Sequence, residues 1–311
     1  MAFPPDKLPS ISAVVVTYRP EVGVLENLRR LLAQVPLVIV VDNGSDGASA
    51  QVVAAAGALA GVQLIRNGAN LGIATALNLG IRQALQTGCQ WVATFDQDSS
   101  IPEHFFEGLF RAYRQCPAAE QTGMIVPGKW SALAAEPAPP TRSEEPLFTF
   151  VTASMASGNL VKAGIFKSVG FYDDALFIDY VDADFCLRLQ KCGFKILSAT
   201  TVVLKHELGT KQTRNLLGFR LSFRIHAAWR YYYIMRNRVV LYRRYFSLAP
   251  RWVLRDAVWL LLESGRIIIL EEGRRAKLNA VFRGIWDGVR NNVGWNAYFP
   301  PKTECIRRKT F

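Results

Sequence analysis

Two aspartates one residue apart, Asp96 and Asp98, close the apolar run WVATFDQDSS at residues 91–100. Carboxylates set side by side repel, and a divalent cation with a phosphorylated ligand would offset that repulsion. The competing reading makes them strand-end acids ahead of a helix, because Ser99 and Ser100 precede Pro102 as helix-start residues do. More acids stand in FIDYVDADFCLR at 177–188. Asp182 and Asp184 open a short amphipathic helix, where acids also serve the helix dipole. Asp179 and Asp182 lie in a block of aromatics, and desolvation there raises a carboxylate toward general-base duty. His206 ends an apolar stretch in LKHELG and reads as a ligand rather than a structural residue, being one of three histidines and standing at a polar strand end. Asp42, in VVDNGSDG at 40–47, suits a nucleobase imide or a ribose hydroxyl, or else an Asx-turn. NGANLGIATALNLGI at 67–81 combines glycines with Asn70 and Asn78, small enough to let a helix N-terminus approach a ligand. It matches neither GxGxxG nor a lysine-bearing phosphate loop, so neither a dinucleotide fold nor an NTPase follows.

These groups need elements to carry them to one place. The stretches 11–18, 37–42, 62–66, 90–96 and 123–127 are short, β-branched and apolar throughout, as strands buried on both faces are. Helical patterns at 21–34, 47–60, 73–88 and 103–115 alternate with them and predict a parallel sheet flanked by helices. Thr17 and Tyr18, Asp42 and Asn43, and Asp96 and Asp98 then fall at the C-terminal ends of three strands, the edge where open α/β sheets bind ligands. Residues 128–146 are rich in Pro, Ala and Glu and read as a mobile surface loop. LFTFVTASMASGNLV is strand-like, VDADFCLRLQKCG a helix closed by Gly193, and FKILSATTVVLKH a strand ending on His206. Beyond Gly209 the pattern reads as helical almost to the end, which divides the chain into a ligand-binding domain at 1–210 and a helical region at 211–311.

Composition bounds the classes. At 311 residues, 50% hydrophobic and 20% charged, the chain can bury a sizeable core. The opening MAFPPDKLPS lacks the basic, apolar, small-residue order of a secretory signal. Cys89, Cys116, Cys186, Cys192 and Cys305 form no CxxC pair and are expected as reduced thiols without a zinc site. The expected location is therefore cytoplasmic. Of the 37 basic and 25 acidic residues, 15 and 18 lie in 1–200 but 22 and 7 in 201–311, balances of −3 and +15. Arginines interleaved with Trp, Tyr and Leu favour a membrane surface over nucleic acid. Runs such as AVWLLL and RIIIL are too short to span a bilayer. The expectation is peripheral attachment at the inner face of the cell membrane, with a homodimer interface as the other use of the same helices.

VVVTYRP, VVDNGSDG, NGANLGIATALNLGI, FDQDSS, SGNLV, FIDYVDADFCLR and LKHELG fall in the order found in inverting family 2 glycosyltransferases, and residues 10–250 resemble that family. The resemblance implies a GT-A fold, Rossmann-like and mostly parallel, with a helical C-terminal extension. LFIDYVDADFCLR and RYYYIMRNRVVLYRRY further resemble bacterial rhamnosyltransferases, which implies a dTDP-L-rhamnose donor and a glycan or lipid-linked acceptor in surface polysaccharide synthesis. By the same resemblance Asp96-Gln97-Asp98 is a DxD-type motif. Asp98, His206 and Asp96 would hold Mg²⁺ or Mn²⁺, and Thr17, Tyr18, Arg19, Asp42, Asn43, Asn70, Gly72, Ala76, Asp96 and Gln97 would contact the nucleotide sugar. Asp182 is the expected base, with Asp179 next and Asp184 in the same motif. Members of the family often read Glu-Asp where this chain reads Val181-Asp182. The rival classes are a nucleotide-sugar-binding regulator without catalysis, a transferase for another nucleotide sugar, and a basic nucleic-acid-binding module.

Overall fold

A computed structural model of the chain describes residues 8–131, 146–206, 211–216 and 219–296. The expected alternation is present: β1 (Ile11–Thr17), α1 (Gly23–Leu32), β2 (Leu37–Asp42), α2 (Gly47–Gly57), β3 (Val62–Arg66), α3 (Ile73–Gln86) and β4 (Trp91–Asp96). β1 pairs in parallel with both β2 and β4, and β2 with β3. Parallel neighbours require crossovers, which these helices supply. α3 crosses close over the sheet at Gly80, where an added Cβ would lie 2.3 Å from Val14 Cγ1 and 3.0 Å from Val41 Cγ2.

Beyond β4 the sheet becomes mixed. β5 (Ser99–Ser100) is followed by α4 (Phe105–Arg114), β6 (Thr122–Ser131), β7 (Phe148–Phe150), β8 (Asn159–Lys162), α5 (Ile165–Ser168), a 3-10 turn at Asp174–Leu176, α6 (Val181–Lys191) and β9 (Lys195–His206). The strand order is β3-β2-β1-β4-β8-β6-β9-β5, with β7 also on β9. β8 runs antiparallel to β4 and β6, β5 and β7 run antiparallel to β9, and β6 is parallel to β9. Trp91, Phe95, Phe105, Phe106 and Phe110 form the aromatic heart of the core beneath the site-bearing strands. Burying each such ring contributes on the order of 2–3 kcal/mol.

Four local expectations are corrected. Ser99 and Ser100 do not start a helix: their backbones ladder onto β9 and both are buried, so α4 begins only at Phe105. The surface loop expected from 128 begins later, because Lys129, Trp130 and Ser131 pair with Val203, Leu204 and Lys205 of β9. The remainder, 132–145, lies outside the described residues. The strand-like stretch from Leu147 holds only β7 and β8, with 151–158 irregular between them. The stretch after Gly209 is not helical at first: β10 (Lys211–Leu216) and β11 (Phe219–Arg224) form an antiparallel hairpin. FRLSFR alternates apolar and polar residues with period two, the strand signature.

Helices follow the hairpin: α7 (Ala228–Tyr245), α8 (Pro250–Leu270) and α9 (Arg274–Val289). The chain divides into two compact units, Met1–Tyr172 with Asp182–Glu207, and Asp173–Val181 with Leu208–Phe311. The second unit thus takes in nine residues, 173–181, that run up to and include the first residue of α6. Its core packs Phe177 with Tyr231, Tyr232, Tyr233, Met235, Ile267 and Val281. Cys89, Cys116 and Cys186 are buried, Cys192 is exposed, and all four are unpaired, while Cys305 lies outside the described residues. Burial pushes the Cys186 thiol up to about 12, which leaves it unreactive.

Candidate active site

β1, β2 and β4 end side by side, with Thr17 opposite Asp42 and Val16 opposite Asp96. Asp42 is buried; Thr17 Oγ1 donates to its Oδ1 at 3.3 Å and the Ser45 N–H to its Oδ2 at 3.0 Å, while the Ser45 hydroxyl also donates to Oδ1. These are the bonds of an Asx-type turn, and they fix the carboxylate at the lip of the sheet. Asn43 beside it is a brace. Its Nδ2 donates to Asn70 Oδ1 at 2.9 Å and to the Gly72 carbonyl at 3.3 Å, and its Oδ1 accepts from Asn67 Nδ2 at 3.1 Å and the Leu71 N–H at 3.0 Å. Gly72 donates in turn to Asn70 Oδ1 at 3.0 Å. The loop ahead of α3 is thereby tied to the end of β2. Gly44 lets it come that close: its φ is +91°, and a Cβ there would lie 2.6 Å from the Ala69 carbonyl carbon.

Other expected nucleotide contacts have structural partners. Tyr18 donates its N–H to Gln97 Oε1 at 2.8 Å, and Asn27 Nδ2 donates to the Gln97 carbonyl at 3.1 Å, so Gln97 locks the ends of β1 and β4 together. Arg19 is paired with Asp46 at 2.8 Å on the exposed rim. Ala76 is fully buried in α3.

The first carboxylate cluster gathers three residues from two places in the sequence. Asp96, Asp98 and His206 each offer a ligand atom, and these atoms lie within 4.8 Å of one another. The β5–β9 ladder sets Ser99 opposite His206 and so brings the imidazole to the DxD turn. His206 Nδ1 lies 3.2 Å from Asp98 Oδ1 and 2.9 Å from Ser99 Oγ. Ser99 Oγ contacts Ser157 Oγ at 2.6 Å, and Ser157, fully buried, accepts from the Asp96 N–H at 3.1 Å. Ser157 and Ser99 therefore knit the cluster from behind, a role not assigned from the sequence although SGNLV carries one of them. Two carboxylates and one imidazole suit a divalent cation of the oxygen- and nitrogen-binding kind, so the donor set fits the metal that the fold implies.

The acids of FIDYVDADFCLR take three different places. Asp182, half-buried in the first turn of α6, accepts from the Ala183 N–H at 2.8 Å. Asp184 is fully buried and salt-bridged to Arg188 at 2.7 Å, and Arg188 also donates to the carbonyls of Val169 and Phe171 at 3.0 and 2.6 Å. Asp184 is a packing acid. Asp179 belongs to the second unit, where Arg230 grips both of its oxygens at 2.9 and 3.0 Å. Its backbone is unusual: Phe177, Asp179 and Tyr180 have φ of 65°, 59° and 62°. Non-glycine residues there cost energy and persist only where held. Asn237 of α7 holds this turn, donating to the carbonyls of Leu176, Ile178 and Asp179 at 2.8–2.9 Å, and Arg236 beside it donates to Leu176 at 2.9 Å.

The solved structures resembling the chain define its class first. The Staphylococcus aureus TarS fragment 1–349, in complex with UDP-GlcNAc, aligns with a TM-score of 0.58 at 16% identity over 90% of this chain and 81% of that one. The mannosyltransferase PcManGT from Pyrobaculum calidifontis, in complex with GDP-Man and Mn²⁺, aligns at 0.55 and 16% identity over 92% and 89%. The fold is that of the GT-A glycosyltransferases. The sequence profile described as Glycosyl transferase family 2 matches residues 12–133. The dTDP-rhamnosyl transferase RfbF of Shigella flexneri is 31% identical over 306 residues, which cover 93% of this chain and 98% of that protein. The chain belongs to glycosyl transferase family 2 and is a glycosyltransferase.

Proposed function

We propose that this enzyme transfers L-rhamnose from dTDP-β-L-rhamnose, with inversion at the anomeric carbon, to a glycan or lipid-linked acceptor in surface polysaccharide synthesis of the O-antigen type. The observation that carries the reading is the similarity to the Shigella transferase, which runs through nearly its whole length and well past the 12–133 match. In this reading Thr17, Asp42 and the braced loop at 67–72 receive the nucleotide at the carboxyl edge of the sheet. Asp98, His206 and Asp96 hold the cation, whose charge stabilises the departing diphosphate. The imidazole in that set favours Mn²⁺ over Mg²⁺ in affinity, with both able to serve.

Inversion by direct displacement needs one carboxylate to take the acceptor hydroxyl's proton. Asp182, half-buried in the first turn of α6 at the place where the family resemblance puts the base, is assigned that role. The proton moves from the acceptor hydroxyl to the Asp182 carboxylate as the new glycosidic bond forms.

A donor screen with the purified chain tests the reading. With Mn²⁺ present, dTDP-rhamnose should be consumed in preference to UDP-GlcNAc and GDP-mannose. Preference for either of the other donors overturns the rhamnose assignment. Thermal stabilisation by dTDP without turnover of any donor and acceptor offered would favour a nucleotide-sugar-binding regulator.

A further inference from the structure

A helix on a water-exposed surface turns its apolar stripe inward and its charges outward. α8 does the reverse. Its acids Asp256 and Glu263 face Arg238 of α7 at 2.9 and 3.0 Å, and Arg266 reaches Glu271 at 3.1 Å. Its outer face carries Leu254, Val258, Trp259, Leu261 and Leu262, with Trp259 61% and Leu261 69% exposed. Ile268 and Ile269 continue the exposed stripe toward the helix end. α9 repeats the arrangement: Phe282 and Trp286 are 70% and 56% exposed, while its acid Asp287 is buried against the Tyr232 hydroxyl at 2.7 Å.

The exposed charges on these two helices are arginines, Arg251 and Arg255 on α8 and Arg274, Arg275 and Arg283 on α9, with Arg290 at its C-terminal cap. From 246 to 296 the exposed acid is Glu272, in the turn between the helices. We infer that this surface docks on an anionic phospholipid bilayer, with α8 and α9 in the interfacial plane, Trp and Leu side chains among the acyl chains, and the arginines on lipid phosphates. No helix among the described residues is long and apolar enough to cross a membrane. A second copy of the chain would cover the apolar groups equally well. In a two-fold pairing, however, the same face meets itself, arginines against arginines with scarcely an acid to answer them. Phosphate supplies the missing complement. The inference deepens the lipid-linked acceptor reading but is tested without any sugar donor, so either can fail alone.

Flotation of the full chain with phosphatidylethanolamine–phosphatidylglycerol vesicles, against phosphatidylcholine vesicles, tests it. The chain should float with the anionic vesicles at low salt and be released as salt rises. Arg255→Ala should weaken partitioning roughly fivefold, the share of one basic residue near an anionic surface. Leu261→Glu and Trp286→Glu, both at exposed positions, should keep the far-UV circular dichroism of the unaltered chain and stop floating. Failure of the chain to float at low salt overturns the proposal, as does unchanged flotation of the Leu261→Glu, Trp286→Glu double variant. So does a dimer in sedimentation that Leu261→Glu splits while the chain stays off the vesicles.

Discussion

Asp98 and His206 lie 3.2 Å apart because a two-residue strand pairs with β9, and Asp98 is the acid expected to matter most for the cation. Asp98→Asn keeps the shape and removes the charge. It should abolish turnover together with the Mn²⁺-dependent stabilisation of the fold by dTDP, read by differential scanning fluorimetry. Wild-type rates in Mn²⁺ would remove Asp98 from the site. Asp182 is the proposed base for the acceptor hydroxyl. Asp182→Asn should lower kcat by about 10²-fold or more while donor affinity survives, the split expected when a general base is removed. A variant that binds donor poorly and turns over normally would place Asp182 in donor binding instead.

At the scale of elements, α3 carries the braced loop at 67–72, the proposed donor contact, and packs hard against β1 and β2. Gly80→Ala drives a Cβ into Val14 and Val41. Overpacking of this kind costs about 1–3 kcal/mol, and urea unfolding should show a lower midpoint with an unchanged slope. The approach to α7 carries a pH dependence. Burial first, then the charge of Arg230, pulls the His226 imidazole below its ordinary 6.5. The folded unit therefore prefers the neutral ring, so its stability is complete above 6.5 and declines as pH falls from there through the lower folded value. His226→Gln should flatten that decline in a comparison of urea midpoints across the acidic range. Equal slopes for the two proteins would show that His226 is not the group.

At the scale of the whole molecule, the second unit is not a simple C-terminal appendage. Residues 173–181 belong to it, with Phe177 packed among Tyr231, Tyr233 and Met235. A truncation that removes 208–311 leaves Leu176 and Phe177 without that cover, along with the carbonyls that Arg236 and Asn237 satisfy. The shortened chain should express largely as aggregate or unfold at lower temperature than the full chain, measured by soluble yield and thermal scan. A truncated chain with full stability would show that 173–181 holds its conformation unaided. The charge belongs to this scale too: the second unit, which carries the exposed arginines, holds 21 basic and 9 acidic residues, a balance of +12.

Strands buried on both faces announce themselves as unbroken β-branched runs, so β1, β2 and β4, the helices between them and the carboxyl-edge position of Asp42, Asp96 and Asp98 were legible from local order alone, whereas β3 lies at the sheet edge and is only partly buried. The motif order was equally legible and led to the family. Contacts over long separations were not. That Ser99 would pair with His206, 107 residues away, depends on β9 reaching past β6 to a two-residue strand too short to leave a pattern. The three acids of FIDYVDADFCLR look alike in sequence. Asp184 meets Arg188 one turn along α6, whereas Asp179 meets Arg230, 51 residues away, only through the packing of the second unit. α8 shows the limit most plainly. Periodicity reveals that a helix has two unlike faces but not which one its neighbours will take, and here Arg238 drew the acids inward and left the apolar stripe outside.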